Sequence, residues 1–179
     1  MKDRVEKFIT KGIDFAELGR TAEALASFDA AITINPNSHL AWNNRGVALG
    51  ELGRHKEAVD SFDKALAIDP EDAAAWNNRG NALGELGRYK EAIASYDKAI
   101  AFDPEDAAAW NNRGNALSEQ CRYKEAIASY DKAIAFDPDD KDTFENRKNA
   151  LQQEKQALIP TGIPADKKKR KKKRLQDAG

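Results

Sequence analysis

Trp42, Trp76 and Trp110 stand 34 residues apart, and Phe8 and Phe144 carry the series one interval further on each side. Pro36, Pro70, Pro104 and Pro138 keep the same interval. Segments 73–106 and 107–140 differ at only four positions: Gly84/Ser118, Leu86/Gln120, Gly87/Cys121 and Glu105/Asp139. Residues 39–72 form a third copy, and residues 5–38 a more diverged first one. A unit this short cannot cover its own apolar faces, so successive copies must stack and share one continuous core. The expected organisation is a repeat domain over residues 1–158 with units 5–38, 39–72, 73–106 and 107–140 and a closing helix over 141–158. A different segment, 159–179, follows it.

Each unit reads as two helices. In residues 73–106, Trp76, Ala82 and Leu83 recur at helical spacing and mark the apolar stripe of the first helix. Asp72 is placed to accept hydrogen bonds from the free backbone N–H groups at its start. Gly87, just past Leu86, can take the left-handed conformation that ends a helix at little cost. The second helix is expected from about Tyr89 to Phe102, with Ala92, Ile93, Tyr96, Ala99 and Ile100 on one face. Pro104 has no backbone N–H and stops it. The small residues Gly80, Ala92 and Ala99 let two helix backbones approach closely around Trp76 and Tyr96. After Pro138, Phe144, Arg147 and Leu151 restart the phase without a second helix behind them, which is the pattern of a polar-faced cap. Two prolines and a glycine between Ile159 and Pro164 forbid its continuation.

These residues resemble the tetratricopeptide repeat (TPR) family. Its signature of Trp, Leu-Gly, Tyr, Ala, Phe and Pro stands here as Trp76, Arg79-Gly80, Leu83, Ala92, Tyr96 and Pro104. It recurs from Trp42 to Pro70 and from Trp110 to Pro138. The resemblance implies an all-α, right-handed α-solenoid of four helix-turn-helix repeats, with the first helix of each lining a concave face. Two departures stand out. The usual apolar residue before the glycine is Lys11, Arg45, Arg79, Arg113 and Arg147, and a cation at a packing position needs a partner. Asp63, Asp97 and Asp131 are the expected partners, although a binding role for the arginines stays open. Cys121 replaces the turn glycine of the fourth unit and reads as a turn residue, at a cost on the order of 1 kcal/mol if left-handed.

Charge and composition exclude several function classes. No run of about 18 apolar residues exists, so no membrane-spanning helix is expected. The segment Met1 to Lys7 has no apolar core of a secretory signal, so a cytoplasmic location is expected. One cysteine and two histidines, His39 and His55, leave little for a disulfide framework or a metal site. The formal net charge of −1 conceals an asymmetry. Lys167, Lys168, Lys169, Arg170, Lys171, Lys172, Lys173 and Arg174 are consecutive, and without them 21 basic residues face 30 acidic ones. The segment from 159 onward is expected to be a disordered basic tail. Its run would attract nucleic acid or an anionic membrane surface, and in a nucleated cell it would serve as a nuclear localisation signal. It could equally fold back onto the acidic body or stay solvated. No aromatic residue interrupts it, which argues against base stacking.

No catalytic constellation is present. Asp69, Asp103 and Asp137 precede prolines, where turn chemistry accounts for them, and the glycines keep repeat positions rather than forming a phosphate loop. No enzyme activity, cofactor or metal is therefore expected. The informative residues are asparagines, poor helix formers that recur at helical positions. The resemblance implies that the residue two after the tryptophan faces the concave groove, here Thr10, Asn44, Asn78, Asn112 and Asn146. In that family such a ladder of amides holds the backbone of extended peptides. An amide offers donors and an acceptor and so pairs with a peptide group without reading its side chain. Asn43, Asn77 and Asn111, with Asn81 and Asn115 one turn on, would widen the strip. The plain alternative is that these amides pair with neighbouring repeats or face water. Co-chaperone members of the family grip C-terminal carboxylates with Lys and Arg. The matching positions here, Asn43, Val47, Asn78, Ala108 and Asn112 (or Ile9, Ile13, Asn44, Ala74 and Asn78), hold no basic residue. The function expected is a non-enzymatic adaptor or scaffold that takes an extended peptide or helix in its groove, with the tail for electrostatic attachment. The alternative is a nucleic-acid- or membrane-associated protein whose tail does the binding.

Overall fold

A computed structural model describes residues 2–158; the basic run and the expected tail lie outside them. Among the described residues there are nine helices and no strand: α1 (Lys2–Glu17), α2 (Thr21–Ile34), α3 (His39–Glu51), α4 (His55–Ile68), α5 (Ala73–Glu85), α6 (Tyr89–Phe102), α7 (Ala107–Glu119), α8 (Tyr123–Phe136) and α9 (Lys141–Ala157). None is long and apolar enough to cross a membrane.

The repeated sequence fixes each helix end by the same chemistry. Ser38, Asp72, Asp106 and Asp140 cap α3, α5, α7 and α9, and the Asp72 carboxylate accepts from the Ala75 N–H at 3.0 Å. Inside each unit the turn needs one left-handed residue. Gly53 and Gly87 supply it at φ +72° and +70°, and Cys121 adopts the same conformation at φ +58°. The closing hydrogen bond is unchanged there, with Arg122 N–H donating to the Leu117 carbonyl at 2.9 Å and Arg88 to Leu83 at 2.9 Å. The cost foreseen for the lost glycine is therefore present in the fold.

Between units the tryptophan and the proline are partners. The Trp42, Trp76 and Trp110 indoles donate to the carbonyls of Pro36, Pro70 and Pro104 at 2.8, 2.9 and 2.9 Å. This shared interval is thus one contact repeated. Within a unit the two helices meet at a glycine facing an aromatic ring. A Cβ added at Gly80 would lie 2.4 Å from Tyr96 Cε1, so no side chain fits between α5 and α6. The shared core runs through the units as Leu49, Phe62, Leu83, Tyr96, Leu117 and Tyr130.

Arg45, Arg79 and Arg113 each tie three helices together. Arg79 Nε donates to Asp63 on α4 at 2.6 Å, and its Nη1 donates to Ser95 on α6 at 2.7 Å. Arg45 does the same with Asp29 and Ser61, and Arg113 with Asp97 and Ser129. Arg147 reaches Asp131 at 2.5 Å. The expected Arg–Asp pairing is present, with Asp29 as an additional partner. The arginine is the half-buried member and the aspartate the exposed one, at 20% and 51% side-chain exposure for Arg79 and Asp63. The guanidinium groups of Arg45, Arg79 and Arg113 also lie over the preceding tryptophan, Arg79 at 5.8 Å from the Trp76 ring centre.

First helices of successive units touch one another, in the series α1–α3–α5–α7–α9, whereas second helices of successive units do not. A stack that is close along one rim and splayed along the other must curve with the close rim inside. The first helices therefore form the concave face.

Candidate functional site

Among the described residues, hollows open along that face between α3 and α5, α5 and α7, and α7 and α9, each floored by the aromatic residue of a second helix. The first, about 320 Å³, lies between α3 and α5 over Phe62, with Val47, Glu51, Asn78 and Glu85 on its walls. The next, about 840 Å³, lies between α5 and α7 over Tyr96, with Asn81, Glu85, Asn112, Asn115 and Glu119. The last, about 550 Å³, lies between α7 and α9 over Tyr130, with Asn115, Glu119, Asn146, Asn149 and Gln153. No lysine or arginine lines any of them.

The asparagines divide into two sets by what they bond. The first set links the repeats. Asn78 Nδ2 donates to Asn43 Oδ1 at 3.3 Å, Asn112 to Asn77 at 3.2 Å, and Asn146 to Asn111 at 3.3 Å. Each contact uses one N–H of one amide and the oxygen of the other. Among the described residues the Oδ1 atoms of Asn78, Asn112 and Asn146 and the Nδ2 groups of Asn43, Asn77 and Asn111 have no further partner. Asn44 instead turns its Nδ2 to the Leu40 carbonyl of its own helix, at 2.8 Å. The pairing with neighbouring repeats, the plain alternative read from the sequence, is thus present at Asn78, Asn112 and Asn146.

The second set stands on the tyrosines. The Tyr96 hydroxyl donates to Asn81 Oδ1 at 2.8 Å, and the Tyr130 hydroxyl to Asn115 Oδ1 at 2.9 Å. Both amides are thereby held with their NH₂ groups uncommitted. In the preceding unit the same two positions are Val47 and Phe62, apolar in both places. The pair changes from apolar to polar together, since a buried hydroxyl without an acceptor costs more than the hydrogen bond returns. Burial first, and the Glu85 carboxylate second, push the Tyr96 phenol above its ordinary value of 10.0. Burial raises Tyr130 as well, against a lowering hydrogen bond from Ser118.

Sequence reasoning missed the tyrosines as supports and the glutamates as lining. Both were visible as covariation within the repeat: Asn appears at 81 and 115 only where Tyr appears at 96 and 130. Glu51, Glu85 and Glu119 are the last residues of α3, α5 and α7, 34 apart and exposed. The only described bond to any of them is from Thr21 Oγ1 to Glu51, at 3.1 Å. The second helices differ here. Glu57, Glu91 and Glu125 are each held in a forked pair by Arg54, Arg88 and Arg122 at 2.6–2.8 Å.

Comparison with known proteins addresses the repeats directly. Sequence profiles of the tetratricopeptide repeat match residues 9–73, 61–94 and 107–140, and a TPR repeat profile matches residues 80–120. Among solved structures, Pseudomonas aeruginosa PilF is similar with a TM-score of 0.79 at 24% identity, over 87% of this chain and 71% of that one. YrrB, a TPR protein with an unusual peptide-binding site, is similar with a TM-score of 0.70 at 23% identity, over 83% and 76%. The first TPR of Spaghetti (RPAP3), bound to the HSP90 peptide SRMEEVD, gives 0.63 at 22% identity, over 64% and 90%. No curated protein matches the sequence. At these identities the structural likeness speaks for the fold, and the overlapping profiles speak for the family. The chain belongs to the tetratricopeptide repeat family, an all-α solenoid of the kind that serves as a protein-interaction scaffold.

Proposed function

We propose that this protein is a non-enzymatic adaptor that binds an extended peptide segment along the hollows between its first helices. The observation that carries the reading is the arithmetic of the amides. Each of the three inter-repeat asparagine pairs uses one bond and leaves one acceptor and one NH₂ group without a described partner, and the acceptor-bearing members Asn78, Asn112 and Asn146 line the three hollows. Packed helices lie roughly 8–10 Å apart, and an extended chain advances about 3.3 Å per residue, so one repeat meets every third residue of a strand-like ligand. Peptide groups at that interval can use the amides without regard to their side chains. The likeness to YrrB and to the Spaghetti domain supports a peptide as ligand. The absence of Lys and Arg from the hollow linings argues against a grip on a C-terminal carboxylate. Asn78→Ala combined with Asn112→Ala tests this. Two neutral hydrogen bonds at about 1 kcal/mol each predict a loss of affinity of at least tenfold for peptides selected on the parent protein, by calorimetry. Unchanged affinity with unchanged helicity would sink the assignment.

A further inference from the structure

The hollows carry a charge whose counterpart lies in the same chain. Glu51, Glu85 and Glu119 end three successive first helices; no lysine or arginine lines the hollows between them, and His55 is in the lining of the first. The last turns of α3, α5 and α7 hold no basic residue either, so each helix C-terminus adds its own partial negative charge to the row. The first helices run in one direction, since Glu85 and Glu119 share a hollow, as do Glu119 and Gln153 of α9. The chain therefore leaves α9 beyond Gln153 at the edge of the groove where the glutamates stand.

The distances match. Eight residues, 159–166, separate Leu158 from Lys167 and reach about 26–29 Å when extended. Glu119 sits on the helix next to α9, and the three glutamates span two helix spacings, roughly 20 Å. An extended run of eight basic residues covers that length. We propose that segment 167–174 of this chain occupies the row of hollows, its cations facing Glu51, Glu85 and Glu119, so that an external peptide must displace it. The inference rests on the hollows being a peptide groove. Each exposed ion pair is weak, but a tethered segment makes several at high effective concentration.

Cys121, the single and exposed cysteine, lines the last hollow with Glu119 and provides the probe site. A nitroxide placed on Cys121 of the full chain should attenuate the amide signals of residues 167–174 at about 0.01 M salt. The attenuation should be lost at about 1 M, as the screening length falls from roughly 30 Å to roughly 3 Å. The triple variant Glu51→Gln, Glu85→Gln, Glu119→Gln should lose most of it at low salt, with signals of the helices unmoved. Attenuation that persists in the triple variant overturns the assignment of the glutamates. Attenuation seen only when labelled and isotope-enriched chains are mixed overturns the intramolecular occupant in favour of a second copy. No attenuation, with the same amides responding to added duplex DNA, overturns the proposal and assigns the run to nucleic acid. Peptide capture through Asn78 and Asn112 would survive each of these results, so the groove and its internal occupant fail separately.

Discussion

Arg79 shows how one side chain converts a periodic sequence into a joined structure. Its guanidinium bonds the α4 carboxylate of Asp63 and the buried α6 hydroxyl of Ser95 while lying over Trp76. Lysine has the charge but not the fork, so it cannot hold both partners in plane. Arg79→Ala should therefore lower stability by about 1.5–3 kcal/mol, the range for hydrogen bonds to a charged group, and Arg79→Lys should restore only part of it. Urea unfolding of the three proteins checks this, and coincident midpoints would contradict it. Tyr96 offers a second test with a definite sign. Because its phenol is raised above 10.0, the folded chain keeps a proton that the unfolded chain releases. That contribution is whole below the unfolded value and falls away as pH rises past it. Tyr96→Phe, which also removes the bond to Asn81, should cost about 1 kcal/mol near neutral pH. The gap between parent and variant should narrow as melting temperatures are followed above pH 10.0. A gap that widened would contradict the account.

At the scale of the element, the helices were legible because their ends are written in residue types with one physical use. The second helix read from Tyr89 to Phe102 is α6, residue for residue, since Pro104 and the turn glycine leave little freedom. The first helix was less legible at the N-terminus. It begins at Lys2 rather than Val5, because the repeat interval marks where units correspond and not where a terminal helix starts. The α7–α8 turn is the element most open to improvement. Cys121 stands at φ +58° in a turn otherwise made by glycine, with its closing bonds intact. Cys121→Gly should raise the unfolding free energy by about 1 kcal/mol and leave the turn unchanged. A lower melting temperature would show that the thiol makes a contact worth more than the strain.

For the whole molecule, the stacking of units followed from the interval alone, whereas the site did not. The repeated asparagines announced that polar groups were needed on the first helices. Whether those groups served the stack or a ligand depended on which atoms they faced. In the fold three amide pairs serve the stack, each through a single bond, and Asn81 and Asn115 are held by tyrosines instead. The glutamate row was hidden for a different reason. A glutamate at a helix end is ordinary in any one unit, and only the curvature of the stack brings three of them to one edge. The most direct test of peptide capture follows the side-chain amide resonances of the full chain while a selected peptide is added. The account predicts shifts at Asn78, Asn81, Asn112, Asn115 and Asn146, with the backbone amides of α4, α6 and α8 unmoved. Shifts confined to the second helices, with these five amides silent, would contradict it.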